Sequence, residues 1–361
     1  MGGALLKTWN LPEKRIPTAE YEKIKRELLT KFRGDVVINS PFFGKLFAEV
    51  APSIRNKETH GDLDIIISDL TDKHATVSWK EFVNFSEYIE KEFGYKPFKN
   101  SNVYSFPYDG FQVDVTFQPY DDFDMAVNYS SWGDLGNLMG RIFHKMGLHY
   151  GHTGLSFWIR QGLFDKNVQW SDNDHIYEKV VLSKDMEEIC QIGGFDYDRW
   201  KQGFDCEQDA FDFIINSKYF DKSLFDLESL NHTNRTRNRK RGMYMRFVQY
   251  VSSVEKKGEP FLSKYEYSLL MQRKFSNLKN AITEYRLTYE IDKIIKEKIN
   301  GKLVMEWLNL SEKDGKIIGY IMSEIREIKR ISREDLLIST QEQLKDRVYE
   351  IFKNVQVLDN S

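Results

Sequence analysis

Cysteine is nearly missing from this chain: Cys190 and Cys206 are the two among 361 residues. That scarcity excludes a disulfide framework and a cysteine-based zinc site, and it fits a reducing compartment. No run of about 18 apolar residues occurs, so no transmembrane helix is expected. The opening Met1-Gly-Gly-Ala-Leu-Leu6 has neither the pattern of a signal peptide nor the Ser or Thr of a myristoylation site. A large charge of one sign is lacking too. The net charge is −3 with 30% charged residues, so there is no global electrostatic footprint for nucleic acid and any basic surface has to be local. Internal repeats and low-complexity linkers are absent. These absences predict a soluble, cytoplasmic protein with no membrane partner, a profile that a virus-encoded chain shares, and they leave its oligomeric state open. What is present is ample core material, 41% hydrophobic and 14% aromatic residues, over a length that suggests two or three domains.

The most informative stretch runs from Val50 to Ile67, Val-Ala-Pro-Ser-Ile-Arg-Asn-Lys-Glu-Thr-His-Gly-Asp-Leu-Asp-Ile-Ile-Ile. The β-branched run Ile65–Ile67 predicts a strand. Side chains alternate across a strand, so Asp62, Asp64 and Ile66 share one face while Leu63, Ile65 and Ile67 share the other. Two carboxylates on one face with no cation between them repel, and a bound divalent ion relieves that; oxygen-only ligation suits Mg²⁺ or Mn²⁺. A third acid lies on Phe111-Gln-Val-Asp-Val-Thr-Phe117, where Phe111, Val113, Val115 and Phe117 face one way and Gln112, Asp114 and Thr116 the other. If this strand pairs beside the first, Asp114 joins Asp62 and Asp64. Three carboxylates suit a pair of ions, as in-line displacement at a triphosphate requires.

Elsewhere the pattern alternates between classes. Residues 17–33 read as an amphipathic helix with Tyr21, Ile24, Leu28, Leu29 and Phe32 on one side. Val36–Ile38 reads as a short strand followed by helix or loop through Phe47, and Trp79–Phe93 as a helix between the two acid-bearing strands. From about Asp121 to Trp200 the pattern is helical and punctuated by glycine. Residues 207–361 are almost wholly helical, with 276–299, 317–330 and a last helix after Ser332 forming a helical domain. Arg235, Arg237, Arg239, Lys240 and Arg241 fall within seven residues, the best candidate segment for binding phosphates. Tyr244, Phe247 and Tyr250 follow at helical spacing, a pattern more often core than base-stacking. His144, His149 and His152 do not make a zinc set, because the cysteines are far off and Lys145 intervenes.

With these residues in hand, the stretch from Val50 to Ile67 resembles the palm motif of family X DNA polymerases, in the DNA polymerase beta superfamily. Ser53, Arg55, Lys57, Glu58, Gly61, Asp62 and Asp64 fall in step with it. Downstream, Val113–Phe117 is similar to the strand of the family's third metal carboxylate. Tyr129–Asn137 stands in the place of its Tyr-Phe-Thr-Gly-Ser turn, with Arg141 at matching spacing, and Ser183–Ile189 with Gly193–Arg199 resembles the end of the thumb. The match covers roughly residues 36–200. It implies an α/β palm with a mixed sheet in the nucleotidyltransferase fold, then a helical thumb and a mainly α-helical C-terminal domain. The implied domains are an N-terminal helix (1–35), the palm (36–125), a helical thumb-like domain (126–205) and a helical domain that could bind nucleic acid (206–361).

The implied chemistry is transfer of a nucleoside monophosphate from a nucleoside triphosphate to a nucleic-acid 3′-hydroxyl, with release of pyrophosphate. Asp62 and Asp64 would bridge two Mg²⁺ or Mn²⁺ ions and Asp114 would complete the one nearest the primer. Ser53 and Arg55 would contact the β- and γ-phosphates, Asp134 and Asn137 the incoming nucleotide, and Arg141 the nascent pair or template. Several positions depart from the family. Pro52 replaces a glycine and removes a donor from the phosphate loop; that loop is one residue shorter, and Phe43-Gly-Lys45 is an alternative placement for it. Trp132 replaces another glycine, and Ser130 replaces a Phe that bears on sugar choice. Only about 35 residues precede the palm, so the family's lyase domain is not expected. The segment Asn300–Gly319, continued by a helix to Arg330 and Ser332–Asp335, looks like the tail of bacterial tRNA nucleotidyltransferases and poly(A) polymerases. It supports an alternative in which the acceptor is an RNA 3′ end, with CCA or poly(A) addition. A third reading is a catalytically decayed nucleic-acid-binding protein, with Pro52 and Trp132 as signs of decay.

Overall fold

In a computed structural model of the chain, residues 4–39, 46–69, 83–164, 174–327 and 333–359 are described. The chain divides into two compact units, Met1–Trp158 with Glu178–Leu278, and Ile159–Tyr177 with Lys279–Ser361. In chain order the elements begin β1 (Ile16–Pro17), α1 (Thr18–Asn39), β2 (Leu46–Val50), β3 (Thr59–His60), β4 (Asp62–Asp69), α2 (Val83–Phe93), β5 (Phe98–Asn100), β6 (Val103–Tyr108) and β7 (Phe111–Phe117). Then come α3 (Phe123–Ser130), α4 (Leu135–Lys145), β8 (Leu148–Gly151), β9 (Gly154–Arg160), β10 (Ile176–Ser183), α5 (Met186–Gly193), α6 (Tyr197–Gln202) and α7 (Glu207–Ile215). Helices complete the chain: α8 (His232–Arg239), α9 (Gly242–Ser252), α10 (Lys264–Lys274), α11 (Ser276–Lys298), α12 (Gly301–Leu308), α13 (Gly315–Glu327), α14 (Arg333–Ile338) and α15 (Gln341–Asp359).

A five-stranded mixed sheet in the order β2-β4-β7-β6-β5 organises the first unit. β4 and β7 run parallel and the other neighbours antiparallel. Two parallel strands need a crossover, and α2, β5 and β6 fall within it. Alternation sets the faces. Leu63, Ile65 and Ile67 of β4 and Phe111, Val113, Val115 and Phe117 of β7 bury against Tyr21, Ile24, Leu28 and Phe32 of α1 and Phe85 and Ile89 of α2. At about 1.5–3 kcal/mol per fully buried large apolar side chain, this layer is the main stabilisation of the sheet. Opposite it lie Asp62, Asp64 and Asp114, and on that same face Ile66 packs with Phe123 and Ala126 of α3. The apolar core therefore holds the backs of the two acid-bearing strands in register. The second unit is helical and closes on Val304, Ile318, Ile321, Ile325, Leu344 and Val348.

The helix expected over 17–33 forms and continues to Asn39, so Val36–Ile38 is helix and not strand. A short β-branched run carries no periodicity that separates strand from buried helix. The edge strand is instead Leu46–Val50, whose first two residues fall in the segment expected as helix or loop through Phe47, and it pairs antiparallel to β4 with Val50 opposite Ile65. α2 begins at Val83; residues 79–82 lie outside the described ones, as do Phe43-Gly-Lys45. The helical, glycine-punctuated expectation for 121–200 is corrected by a three-stranded sheet in the order β10-β9-β8. Gly151 and Gly154 pair at the turn of its β8–β9 hairpin. Gly154 sits at φ +106°, and a Cβ there would meet the Ser183 carbonyl oxygen at 2.3 Å, so only glycine fits. From α7 onward the helical expectation holds, and Tyr244 and Phe247 are core residues, both at 0% exposure. No described helix is long and apolar enough to cross a membrane.

Candidate metal centre and its surroundings

The parallel pairing of β4 with β7 sets Asp64 directly opposite Asp114. Asp62 stands two residues before Asp64, one pleat repeat along the same face. One carboxylate oxygen from each of the three lies within 4.8 Å of the others. Among the described residues this is the group of acids and histidines arranged to hold a metal ion. Desolvation, followed by the charges of Asp62 and Asp114, holds the pKa of Asp64 well above the ordinary carboxylate range. Burial pushes Asp114 up to about 6, with hydrogen bonds from Ser105 and Gln112 pulling back and Asp62 adding repulsion. Tyr21 is raised as well, by burial first and then by Asp64, Glu22 and Asp62. The site thus concentrates negative charge, with Lys57 pulling back on Asp64, and its donors are hard oxygens of a kind that suits Mg²⁺ or Mn²⁺.

Asp114 is held from the side. The Gln112 Nε2 group donates to both of its oxygens, at 3.1 and 2.9 Å. The neighbouring Ser105, on β6 opposite Asp114, is 2% exposed. His60, just before β4, is buried and stacks on the Tyr21 ring with centroids 3.7 Å apart. Burial lowers its pKa to about 4, with Lys57, Arg15 and Lys25 acting in the same direction. His60 is therefore a neutral ring that fixes the entry of β4.

Of the residues expected to bind the nucleotide, Arg55, Asp134 and Asn137 are engaged within the protein. Arg55 pairs with Asp205 and also donates to the Gln202 carbonyl. The loop backbone follows: Arg55 N donates to Phe204 O at 3.1 Å and Asn56 N to Asp205 O at 2.9 Å. Ser53 stands two residues earlier, half-buried. Asp134 is paired with Arg241, and Asn137 Nδ2 donates to Asn238 Oδ1 at 3.2 Å. Arg141 Nε donates to the Leu224 carbonyl at 3.1 Å. The two departures at Pro52 and Trp132 meet each other, since Trp132 N donates to Pro52 O at 2.7 Å. Trp132 is at φ +64°, an uncommon conformation for a bulky residue, and its ring sits edge-on to Phe204.

The basic segment divides by partner. Arg235 and Arg239 both reach Glu228, at 3.1 and 3.0 Å, and Arg241 takes Asp134. Arg237 and Lys240 are exposed and form no ion pair among the described residues. Tyr250 donates its hydroxyl to Asp212 at 2.8 Å. Of the three histidines, His149 stacks on Trp158 at 3.7 Å and His152 lies against Tyr129 at 4.7 Å.

Sequence reasoning put Gln112 on the polar face of its strand but gave it no role, and it missed Ser105, Asp205 and Glu228. For Gln112 the signal was there, two residues before Asp114. For the others it was not: Asp205 meets Arg55 from 150 residues away, while Ser105 and Glu228 reach their nearer partners through a strand pairing and a turn-to-helix contact that no local pattern marks. No protein-family model matches the chain, and no curated protein matches it.

Proposed function

We propose that the chain is a metal-dependent nucleotidyltransferase that adds nucleoside monophosphates from a (d)NTP to a nucleic-acid 3′-hydroxyl and releases pyrophosphate. The observation that carries this reading is the convergence of Asp62, Asp64 and Asp114 from two adjoining parallel strands, with ligand oxygens within 4.8 Å. Three clustered carboxylates, of which Asp64 and Asp114 have their ionisation opposed by burial and by neighbouring acids, are a poor structural motif on their own account and a good cation site. Asp62, Asp64 and Asp114 would hold Mg²⁺ or Mn²⁺, which supplies a more acidic 3′-hydroxyl and a charge clamp on the triphosphate.

The remaining parts are the chain's own. In this reading the mixed sheet is the palm, and the elements after α3 serve as thumb. Asp114, oriented by Gln112, faces the position of the attacking hydroxyl. Ser53 and Arg55 belong to the triphosphate side, and Arg55 exchanges Asp205 for phosphate when substrate enters. Arg237 and Lys240 present positive charge to the acceptor backbone. A family X type DNA polymerase is the form that the longer stretch of resemblance supports.

The second reading, addition to an RNA 3′ end, is favoured by a specific observation. Asp134 and Asn137, which would face the base, are engaged by Arg241 and Asn238 of this chain, and polar side chains so fixed can read a base without a template. The test is primer extension with end-labelled recessed DNA duplex, single-stranded DNA and tRNA lacking CCA, each with dNTPs or NTPs, using wild type and Asp114→Ala. Template-matched dNTP addition supports the polymerase, and NTP addition to RNA alone supports the 3′-end enzyme. No product on any acceptor, or equal product from Asp114→Ala, overturns the reading and returns the chain to nucleic-acid binding without catalysis.

A further inference from the structure

The amino-terminal turn Ala4–Trp9 is a 3-10 helix that touches the metal centre through one backbone atom. Leu5 N donates to Gln112 Oε1 at 3.0 Å. An amide N–H has no acceptor role, so this bond decides which way the Gln112 side chain faces. Its oxygen is taken by Leu5 and its NH₂ must point the other way, where it meets both oxygens of Asp114, at 3.1 and 2.9 Å. Gln112 is 4% exposed, so water does not compete for either end. The turn is itself anchored at two further points. Leu6 is fully buried, and Trp9 Nε1 donates to the Lys96 carbonyl at 3.0 Å.

A carboxylate gripped along one edge by a single NH₂ group cannot spin about its Cβ–Cγ bond. Its remaining lone pairs are presented to the space shared with Asp62 and Asp64. Gln112 does this without charge. A cation in its place would neutralise Asp114 and compete with the metal, whereas a neutral amide orients the ligand and leaves its full negative charge available.

We propose that Gln112 is the positioning residue of the metal centre, and that the Ala4–Trp9 turn is a working part of that centre because Leu5 N–H sets the direction of the Gln112 amide. This rests on the reading of Asp62, Asp64 and Asp114 as metal ligands. Asp114 serves the ion nearest the attacking hydroxyl, while Asp62 and Asp64 also serve the triphosphate. Loss of the grip therefore acts on kcat and on the affinity of one ion, and leaves KM for the triphosphate where it was.

The experiment uses the full chain with Mn²⁺ alone, titrated by electron paramagnetic resonance and calorimetry, in wild type, Gln112→Met, Gln112→Glu, Leu5→Pro and Asp114→Asn. Gln112→Met keeps length and burial but donates nothing. Leu5→Pro deletes the single N–H at the start of a helical turn, where proline is tolerated. The weaker of two Mn²⁺ sites should lose about 10- to 100-fold in affinity in Gln112→Met, as is usual for loss of an outer partner of a metal ligand. Leu5→Pro should show a smaller loss at the same site, and Gln112→Glu should recover none of the wild-type behaviour despite its matching shape. Where transfer activity is measurable, kcat should fall in parallel with KM unchanged. Unchanged Mn²⁺ affinities in Gln112→Met, in a protein whose Asp114→Asn variant has lost an ion, would overturn the positioning role alone. Absence of Mn²⁺ binding in the wild type would overturn the metal centre and the positioning role with it. Should Gln112→Met fail to fold, Leu5→Pro decides by the same titration, and wild-type affinity at both of its sites counts against the proposal.

Discussion

Removing the charge of Asp114 should make the protein more stable in the absence of a metal ion. Asp114 titrates at about 6 in the folded chain against an ordinary 3.8, chiefly because burial disfavours its charged form. Its folded pKa is raised, so on raising the pH the unfolded chain gives up this proton first. Folded-state stability is lost progressively between pH 3.8 and 6, and the loss is complete above that. The full difference corresponds to about 3 kcal/mol. Asp114 is half-buried and keeps its hydrogen bonds, so about 1–2 kcal/mol is the expected gain when the charge is removed. Asp114→Asn preserves shape and leaves one oxygen for Gln112. At pH 8 in EDTA its unfolding midpoint should therefore rise by roughly 2–6 °C for a unit of this size. The gain should vanish by pH 4, where wild-type Asp114 is protonated in the folded state. Mg²⁺ should reverse the order, because an ion that binds only the folded state stabilises in proportion to its affinity and the variant has lost a ligand. Thermal unfolding followed by circular dichroism, at pH 4 and 8 and with Mg²⁺ or EDTA, measures all four corners. An Asp114→Asn protein that is less stable than wild type at pH 8 in EDTA, or that gains as much from Mg²⁺, would refute the account of a site strained by its own charge.

Other expectations concern the surroundings of the site. His60 titrates at about 4 in the folded chain and 6.5 unfolded; as pH falls from 6.5 to 4 the unfolded chain takes up this proton first. The stability of wild type relative to His60→Gln should therefore drop by up to about 3 kcal/mol across that window, then level off below it. Urea unfolding of both proteins at pH 4, 5, 6 and 7 measures the difference, and a constant difference would contradict the buried neutral ring. Neutralising Arg237 and Lys240 together should lower the slope of log affinity for nucleic acid against log salt by about 2. Neutralising Arg235 and Arg239, which are already paired with Glu228, should change it less, and equal effects would argue against the division by partner. Gly203 lies at φ +74°, and a Cβ there would meet the Trp132 ring at 2.4 Å and Arg55 at 2.9 Å. Gly203→Ala should cost about 1–3 kcal/mol and, in a triphosphate-binding assay, weaken affinity by displacing Arg55; undisturbed stability would refute the contact.

The acid trio shows how far local pattern reaches. The β-branched run Ile65–Ile67 and the strict alternation over Phe111–Phe117 settled which face each acid occupies, because a pleated strand has a period of two whatever its neighbours do. The helical character of the last third was equally legible, since apolar spacing and scarce proline and glycine are properties of the local chain. The same local reasoning failed at Val36–Ile38 and at β8–β10, where short apolar or glycine-rich runs suit either strand or helix and the surrounding fold makes the choice. Only tertiary structure could decide that β7 lies parallel and next to β4, which turns separate acids into a cluster. It alone could bring Leu5 to Gln112, Asp205 to Arg55 and Arg241 to Asp134, partners between 107 and 150 residues apart. A side chain's chemistry is written in its identity and its face in its immediate neighbours. Its partner is set by the packing of the whole sheet and its helices, and in this protein that packing determines which charges are paired with opposite ones and which are gathered beside their like.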